Sequence, residues 1–324
     1  MRCIHHTHTD PAFNLAAEEW LFRNTDEDIF MLWRNDRAVI VGRNQNSAAE
    51  IDESFVRENG ITVIRRMTGG GAVFHDLGNV NFSFIQLGSQ AKRLDFHRFT
   101  APILEALQAI GVNCRFEGRN DLTIDGMKFS GNAQLIEKDR VLHHGTLLFS
   151  AQMADLSGAL KVNPAKFEDK AVKSVKKRVT NIASHLPEPL GVEEFIARVM
   201  AHVSGSTGEA PGLRPDEEEG IRELVRTKYG TWDWNFGASP DYGLTQTRKT
   251  PGGLVEIHLD VHQGRIRAAR IFGDFFGVRP VSELEMLLAG CRHEREDILG
   301  ALEGVCVEEY IRDVDAETFL DCLF

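Results

Sequence analysis

Cysteine is scarce in this chain of 324 residues, and no two cysteines stand in a C-x-x-C spacing. The five (Cys3, Cys114, Cys291, Cys306 and Cys322) are odd in number and scattered. That pattern argues against a disulfide framework and a thiolate zinc site, and points to reduced thiols in a cytoplasmic protein. Long apolar runs are missing too. Nothing approaches the ~20 residues that a membrane-spanning helix needs, and Met1-Arg2-Cys3-Ile4-His5-His6 lacks a signal-peptide apolar core. Basic charge is outnumbered, leaving a net charge of −11. A surface of that sign repels nucleic acid and anionic membrane, so neither is expected as a partner. Hydrophobic residues at 42% and charged residues at 26% are ordinary for a globular protein, and the length favours two domains.

Familiar phosphate motifs are absent as well. A P-loop needs G-x-x-x-x-G-K-[ST], and a dinucleotide turn needs G-x-G-x-x-G opening a helix. In their place stands Arg65-Arg66-Met67-Thr68-Gly69-Gly70-Gly71-Ala72-Val73-Phe74-His75-Asp76-Leu77. It follows the apolar run Ile61 to Ile64 and leads toward the alternating, strand-like Asn81 to Ile85. Glycine lacks a Cβ, so this loop can bring backbone N–H groups close to a ligand and form an anion-binding concavity. Two arginines beside it offer charge that phosphate or carboxylate accepts in bidentate fashion. A tight turn between solvated charges is the plainer alternative; the five ionisable or hydroxyl side chains favour an anion-binding active-site loop.

Asp10-Pro11 is a helix start, with Asp as N-cap and Pro in the first turn, and Phe13 to Leu21 continues the helix. Ile29 to Trp33 and Ala38 to Val41 read as two strands of a hairpin. Phe99 to Ile110 is helical and Gly111 ends it. Strand-like segments follow at Val112 to Phe116 and Leu122 to Ile124. Asp125-Gly126 is a hairpin turn, after which Lys128 to Ile136 pairs with Val141 to Phe149. Tight turns between strands imply a mainly antiparallel mixed sheet with packed helices, an α+β fold. Gly205 to Gly220 reads as an exposed connector. Leu254 to Val261 and Arg265 to Ile271 flank a turn at His262-Gln263-Gly264, and Val281 to Leu288 is helical. The expected organisation is therefore a large domain, 1–237, and a small α+β domain, 238–324.

A second chemical cluster comprises Gly118-Arg119-Asn120-Asp121, Lys128-Phe129-Ser130-Gly131-Asn132-Ala133 and His143-His144-Gly145-Thr146. Asp121 and Lys128 fall on paired strands and can face one cavity. A strand lysine is usually a solvated surface residue. Here Gly131 leaves room for close approach, and a fixed cation beside the Gly loop would clamp a transferring phosphate. Adjacent strand residues point to opposite faces, so at most one of His143 and His144 faces the site. Neither histidine has the helical i, i+4 spacing or the cysteine partners of a zinc ligand.

Taken in order, RRMTGGGAVFHDLGN, GRNDL, KFSGNA and HHGTLLF resemble the lipoate–protein ligase A family. FNLAAEE, GRNQN at Gly42 to Asn46, SVKKRVTN at Ser174 to Asn181, and WDWNFG fit the same pattern, so the resemblance covers nearly the whole chain, including a C-terminal accessory domain. It implies two half-reactions. Lipoate and ATP give lipoyl-AMP and pyrophosphate, and an acceptor lysine then displaces AMP. Carried over, Lys128 contacts both the lipoate carboxyl oxygen and the α-phosphate; Arg66 and Gly71-Ala72-Val73-Phe74 hold the adenylate. Leu15, Glu18, His75 and His144, with Arg66 and Lys128, surround the lipoate. Asp121 is the candidate for the Mg²⁺ or ribose side of the nucleotide, with ATP and Mg²⁺ acting as a substrate complex and no permanently bound metal. The seven basic residues from Lys161 to Arg178 are either a solvated helix or the lead-in to a loop closing over the adenylate.

The implied acceptors are lipoyl domains of 2-oxoacid dehydrogenase acyltransferase subunits and the glycine-cleavage H protein, served by a monomeric enzyme. Two alternatives compete: an octanoyl or lipoyl acyltransferase working through a thioester on Cys114, and a non-catalytic acyl- or nucleotide-binding regulator. Cys114 lies in a strand-like run with no base beside it, which suits burial better than catalysis.

Overall fold

The computed structural model describes residues 1–88, 95–118, 120–152, 158–160, 167–168, 179–275 and 277–324. Arg119 and nearly all of the 161–178 basic stretch lie outside these residues, as does 174–178 of the expected closing loop. The chain divides into two compact units. The first comprises Met1–Arg43, Phe55–Leu160 and Ser174–Thr231, and the second Asn44–Ser54, Lys161–Lys173 and Trp232–Phe324.

Among the described residues ten strands build the first unit: β1 (Arg2–His5), β2 (Ile29–Trp33), β3 (Ala38–Val41), β4 (Thr62–Arg65), β5 (Val73–His75), β6 (Asn79–Gln86), β7 (Arg115–Glu117), β8 (Asp121–Ile124), β9 (Met127–Glu137) and β10 (Arg140–Leu148). Seven form one sheet in the order β1-β2-β6-β10-β9-β8-β7, and three form a second in the order β4-β3-β5. In the large sheet β1 and β2 run parallel and the remaining pairs antiparallel. The expected β2–β3 hairpin is not formed. β2 pairs with β1 and β6, whereas β3 pairs with β4 and β5. Both segments are apolar throughout and buried on both faces, so local pattern could not say which strands they would join.

Alternation along β6 sets the architecture. Val80, Phe82 and Phe84 enter an apolar core with Phe30, Leu32 and Leu147. Phe99, Ile103 and Leu107 of the Phe96–Ala109 helix, and Phe195, Ile196 and Val199 of the Val192–Ser204 helix, close that core. Each large side chain buried this way contributes about 1.5–3 kcal/mol. Asn79, Asn81 and Ser83 occupy the opposite, polar face. Register aligns Trp33, Asn81 and Thr146 in one row and Met31, Ser83 and His144 in the next. Asp125 and Gly126 have φ of 50° and 76°, the geometry of a type I′ turn that joins β8 to β9.

Asp10 caps the Pro11–Asn24 helix by accepting the Ala12 N–H at 2.9 Å. The connector expected at 205–220 is only partly a connector. Pro215 opens a helix through Leu224, and Glu217 is buried with Oε2 accepting from Arg2 Nη2 at 2.8 Å. Its acidic composition reflects helix-start charges and one long-range ion pair that no local pattern discloses.

The second unit contains β11 (Phe167–Glu168), β12 (Tyr242–Thr250), β13 (Gly253–His262) and β14 (Arg265–Gly273), paired antiparallel in that order. Short helices Ser282–Leu288, Arg295–Ala301 and Ala316–Leu320 accompany them. Val255, Ile257, Leu284, Ile298 and Phe319 share its core, so each unit is itself α+β. Among the described residues no helix is long and apolar enough to cross a membrane.

Candidate active site

Lys128 opens β9 after the tight turn, and its ammonium sits 2.9 Å from Asp121 Oδ1 on β8. The lysine folds back along its own strand: a Cβ added to Gly131 would lie 2.9 Å from Lys128 Nζ and 3.1 Å from Cε. The Gly131 N–H donates to Thr146 Oγ1 at 3.1 Å. The ammonium therefore lies over the polar face of the sheet, in the row of Thr146, Asn81 and Trp33. Glycine at 131 makes that placement possible.

The Gly loop is braced from below by the arginines. Arg66 is buried; Nη1 donates to Ile40 O at 3.1 Å, and Nη2 donates to Gly69 O at 2.7 Å and Gly71 O at 2.9 Å. Arg65 is fully buried, and its Nη1 donates to Gly42 O at 2.9 Å and Arg43 O at 3.0 Å. Burial lowers both guanidinium pKa values to about 10, and the Arg66 charge adds to the effect on Arg65. Both still carry charge at neutral pH. Paired open forks were the sequence expectation; instead these donors point at backbone carbonyls, because a buried guanidinium must fill its hydrogen bonds. Gly70 takes φ of 96°, and its carbonyl packs so tightly that a Cβ on Gly42 would lie 2.0 Å from it. Ala72 and Phe74 are buried behind Gly71 and Val73 as the loop enters β5.

A chain of hydrogen bonds crosses the polar face. Trp33 Nε1–H donates to Ser83 Oγ at 3.0 Å, and Ser83 donates to Glu18 Oε1 at 2.6 Å. His144 Nδ1 lies 2.8 Å from both Glu18 oxygens, and its Nε2 lies 2.7 Å from Thr68 Oγ1. Thr68 accepts Arg66 Nε–H at 3.0 Å. A carboxylate only accepts, so His144 Nδ1 donates to Glu18, and the ring spans from Glu18 to Thr68. Two candidates thus meet directly, Glu18 and His144, and Thr68 links them to Arg66. Leu15 lies on the same helix as Glu18 and is buried. His143 faces the other way, stacked on Phe99 at 5.2 Å between ring centroids. Only His144 is on the site face.

His75, at the end of β5, is buried beside Trp33, with ring centroids 6.4 Å apart. Burial, then the charges of Arg66 and His144, push its pKa down to about 3, so it is neutral. Cys114 is buried in the apolar core with its thiol pKa raised to about 11 by burial. A protonated, enclosed thiol is a poor nucleophile. Among the described residues no group of three or more His, Cys, Asp or Glu could hold a metal ion.

Sequence reasoning did not single out Thr68, Ser83 or Trp33 as members of the network. The alternation Asn79-Val80-Asn81-Phe82-Ser83-Phe84 held the signal: a polar stripe on a strand whose other face is core.

Comparison with known proteins bears on this arrangement. The family model of the lipoyl protein ligase A/B catalytic domain matches residues 10–204, and that of the bacterial lipoate protein ligase C-terminus matches residues 239–323. The lipoate-protein ligase LplJ of Bacillus subtilis is 41% identical over 321 residues, 97% of this chain and 97% of that protein. An archaeal bipartite lipoate protein ligase from Thermoplasma acidophilum, reported with its E2 lipoyl domain, is 27% identical with a TM-score of 0.62, over 74% of this chain and 97% of that one. A lipoate-protein ligase A solved with ATP is 26% identical with a TM-score of 0.61, over 73% and 98%. With both family models matched in order along one chain, and a relative similar over nearly its whole length, the chain belongs to the lipoate–protein ligase family of enzymes.

Proposed function

We propose that this enzyme activates free lipoate with ATP to lipoyl-AMP, releasing pyrophosphate, and then transfers the lipoyl group to a specific lysine of an acceptor protein. One observation carries the reading: Lys128, paired with Asp121, holds its ammonium over Gly131, on the polar face that Glu18, His144 and the arginine-braced Gly loop also line. In the first step a lipoate carboxylate oxygen attacks the α-phosphorus and the bond to pyrophosphate breaks. Two anions must meet, and a fixed cation between them lowers the barrier. In the second step the acceptor amine attacks the acyl carbon, AMP leaves on its phosphate oxygen, and the same ammonium stabilises the carbonyl oxygen and the departing phosphate. Arg66 fixes the loop carbonyls, which orients the N–H groups of Gly71 to Phe74 toward the adenylate. Asp121 holds Lys128 in place and offers one carboxylate to the Mg²⁺ that accompanies ATP, a donor set that suits an ion bound mostly by phosphate and water. Leu15, His75, His144 and the Glu18 network line the lipoyl side.

The relatives' names and the ATP-bound neighbour support this reading, and the archaeal ligase paired with an E2 lipoyl domain supports lipoyl domains as acceptors. We extend it to acyltransferase subunits of 2-oxoacid dehydrogenases and the glycine-cleavage H protein, to a monomer acting in the cytoplasm, and to residues 238–324 as the accessory domain. The thioester alternative is disfavoured by the enclosed, protonated Cys114. Pyrophosphate release from ATP that depends on lipoate tests the proposal. Lys128→Ala should reduce it to background while leaving the melting temperature within a few degrees, because a charge on a half-open strand supports chemistry more than packing. A Lys128→Ala protein that still released pyrophosphate would overturn the assignment.

A further inference from the structure

His143 is a buried histidine that the chemistry proposed above does not touch, yet the fold places its proton. Gln134 Oε1 accepts the Asp95 N–H at 2.9 Å, so the other end of that amide is the NH₂. Gln134 Nε2 donates to Asp95 O at 2.7 Å and lies 2.9 Å from His143 Nδ1. Nδ1 of His143 therefore accepts. Burial, then the charge of His144, lowers the His143 pKa to about 3, so the ring is neutral and its proton resides on Nε2. That N–H meets Asn132 Oδ1, 3.3 Å away.

Asn132 passes the constraint to the two strands that carry Asp121 and Lys128. Its Nδ2 donates to Asn120 O at 3.0 Å and to Ser130 Oγ at 3.2 Å, and Asn120 Nδ2 donates to Asn132 O at 2.7 Å. Gly145 makes room for this amide, since a Cβ there would lie 2.2 Å from Asn132 Oδ1. Asn120 directly precedes Asp121, and Ser130 stands at the end of a β-bulge. Leu122 is opposite Ser130 and Thr123 is opposite Lys128, so Phe129 is an extra residue on β9. Simple alternation would put Lys128 on the face of Ser130 and Asn132, against the apolar core. The extra residue sends Phe129 into that core and Lys128 to the polar face, over Gly131. A bulge can re-aim a side chain in this way.

On the ligase reading above, we propose that His143 and Asn132 form a lock behind the sheet that positions Lys128, by holding Ser130 at the bulge and Asn120 beside Asp121. Neither side chain touches substrate. A buried polar chain of this kind fixes one arrangement because each member has its partner, and removing one donor frees the amide of Asn132 to turn.

The test is kcat and KM for lipoate-dependent pyrophosphate release by the full chain, read below the melting temperature of each variant. His143→Phe keeps a ring between Phe82 and Phe99 but has no N–H. It should lower kcat about tenfold or more and leave KM for lipoate and ATP within about threefold, since a displacement near 1 Å can cost about 10²-fold. His143→Gln, whose amide accepts at one end and donates at the other, should keep most of kcat. Asn132→Leu and the double variant should match His143→Phe, because losses within one unit do not add. Nitrogen NMR of the folded wild type should find the His143 proton on Nε2, a readout that needs no variant. A His143→Phe loss confined to melting temperature, no rescue by His143→Gln, additive losses in the double variant, or a proton on Nδ1 overturns the inference and leaves the ligase reading standing. No pyrophosphate release by the wild type with lipoate and ATP overturns both.

Discussion

Adjacent histidines on β10 have opposite surroundings. His144 is held by Glu18 and Thr68 on the polar face, while His143 is enclosed by Phe82 and Phe99. Burial first, then the charge of His144, pushes the His143 pKa down to about 3. In the unfolded chain it returns to about 6.5. Between those values the unfolded state binds the extra proton, so this contribution to stability is fully present above the unfolded value and is lost as pH falls toward 3. His143→Phe should flatten the dependence of stability on pH in that window by up to about 1.4 kcal/mol per pH unit. Chemical denaturation at several pH values measures the slope, and an unchanged slope would mean that His143 takes up no proton on unfolding. At Cys114 the expectation is simpler. Cys114→Ser should keep most lipoate-dependent activity; an acyl group found on Cys114 by mass spectrometry would favour the thioester route.

Elements show how local signals gain or lose meaning. The Pro11–Asn24 helix was readable from Asp10-Pro11, but its sequence has little amphipathic contrast because nearly every position is buried. Glu18 turns to His144, whereas Glu19 accepts from Lys228 at 2.6 Å and from the Tyr229 hydroxyl at 2.7 Å. One carboxylate serves the candidate site and its neighbour anchors the helix. Gly42, noted only as part of a motif, stands directly beneath the Gly loop. Gly42→Ala places a Cβ 2.0 Å from Gly70 O, so the loop must move. A displacement near 1 Å in a positioning element can lower activity by about 10²-fold. Steady-state kinetics with thermal melting checks this: activity within twofold of wild type would show that the loop tolerates the shift.

At the scale of the molecule, the second unit draws on residues far apart in the chain. Ser47 donates to Asn235 O at 2.6 Å, and Ala49 joins the core of Val255 and Leu284. A deletion of residues 238–324 therefore removes packing partners of the 44–54 segment, which should become sensitive to protease. The same deletion should impair lipoate activation more than transfer from pre-made lipoyl-adenylate. Assaying both half-reactions on the shortened chain decides the role of the unit. Equal losses make it structural, and a loss confined to transfer makes it a docking element for the acceptor.

Much of this protein was legible from residues alone, for definite reasons. The Asp125-Gly126 turn needs positive φ at both positions, so it marked the β8–β9 hairpin; a register shift at Leu122–Thr123 then set Asp121 opposite Gly131, within reach of Lys128. Three glycines after an arginine pair marked the loop, and period-two alternation marked both faces of β6. Tertiary structure decided what no local pattern encodes. It sent β2 and β3 into different sheets, since a strand buried on both faces has no preferred partner in its own sequence. It turned Arg65 and Arg66 from open forks into braces, because burial compels every donor to find an acceptor. It also set Glu18 against His144 and Thr68, side chains whose roles exist only once a distant helix, strand and loop converge on them.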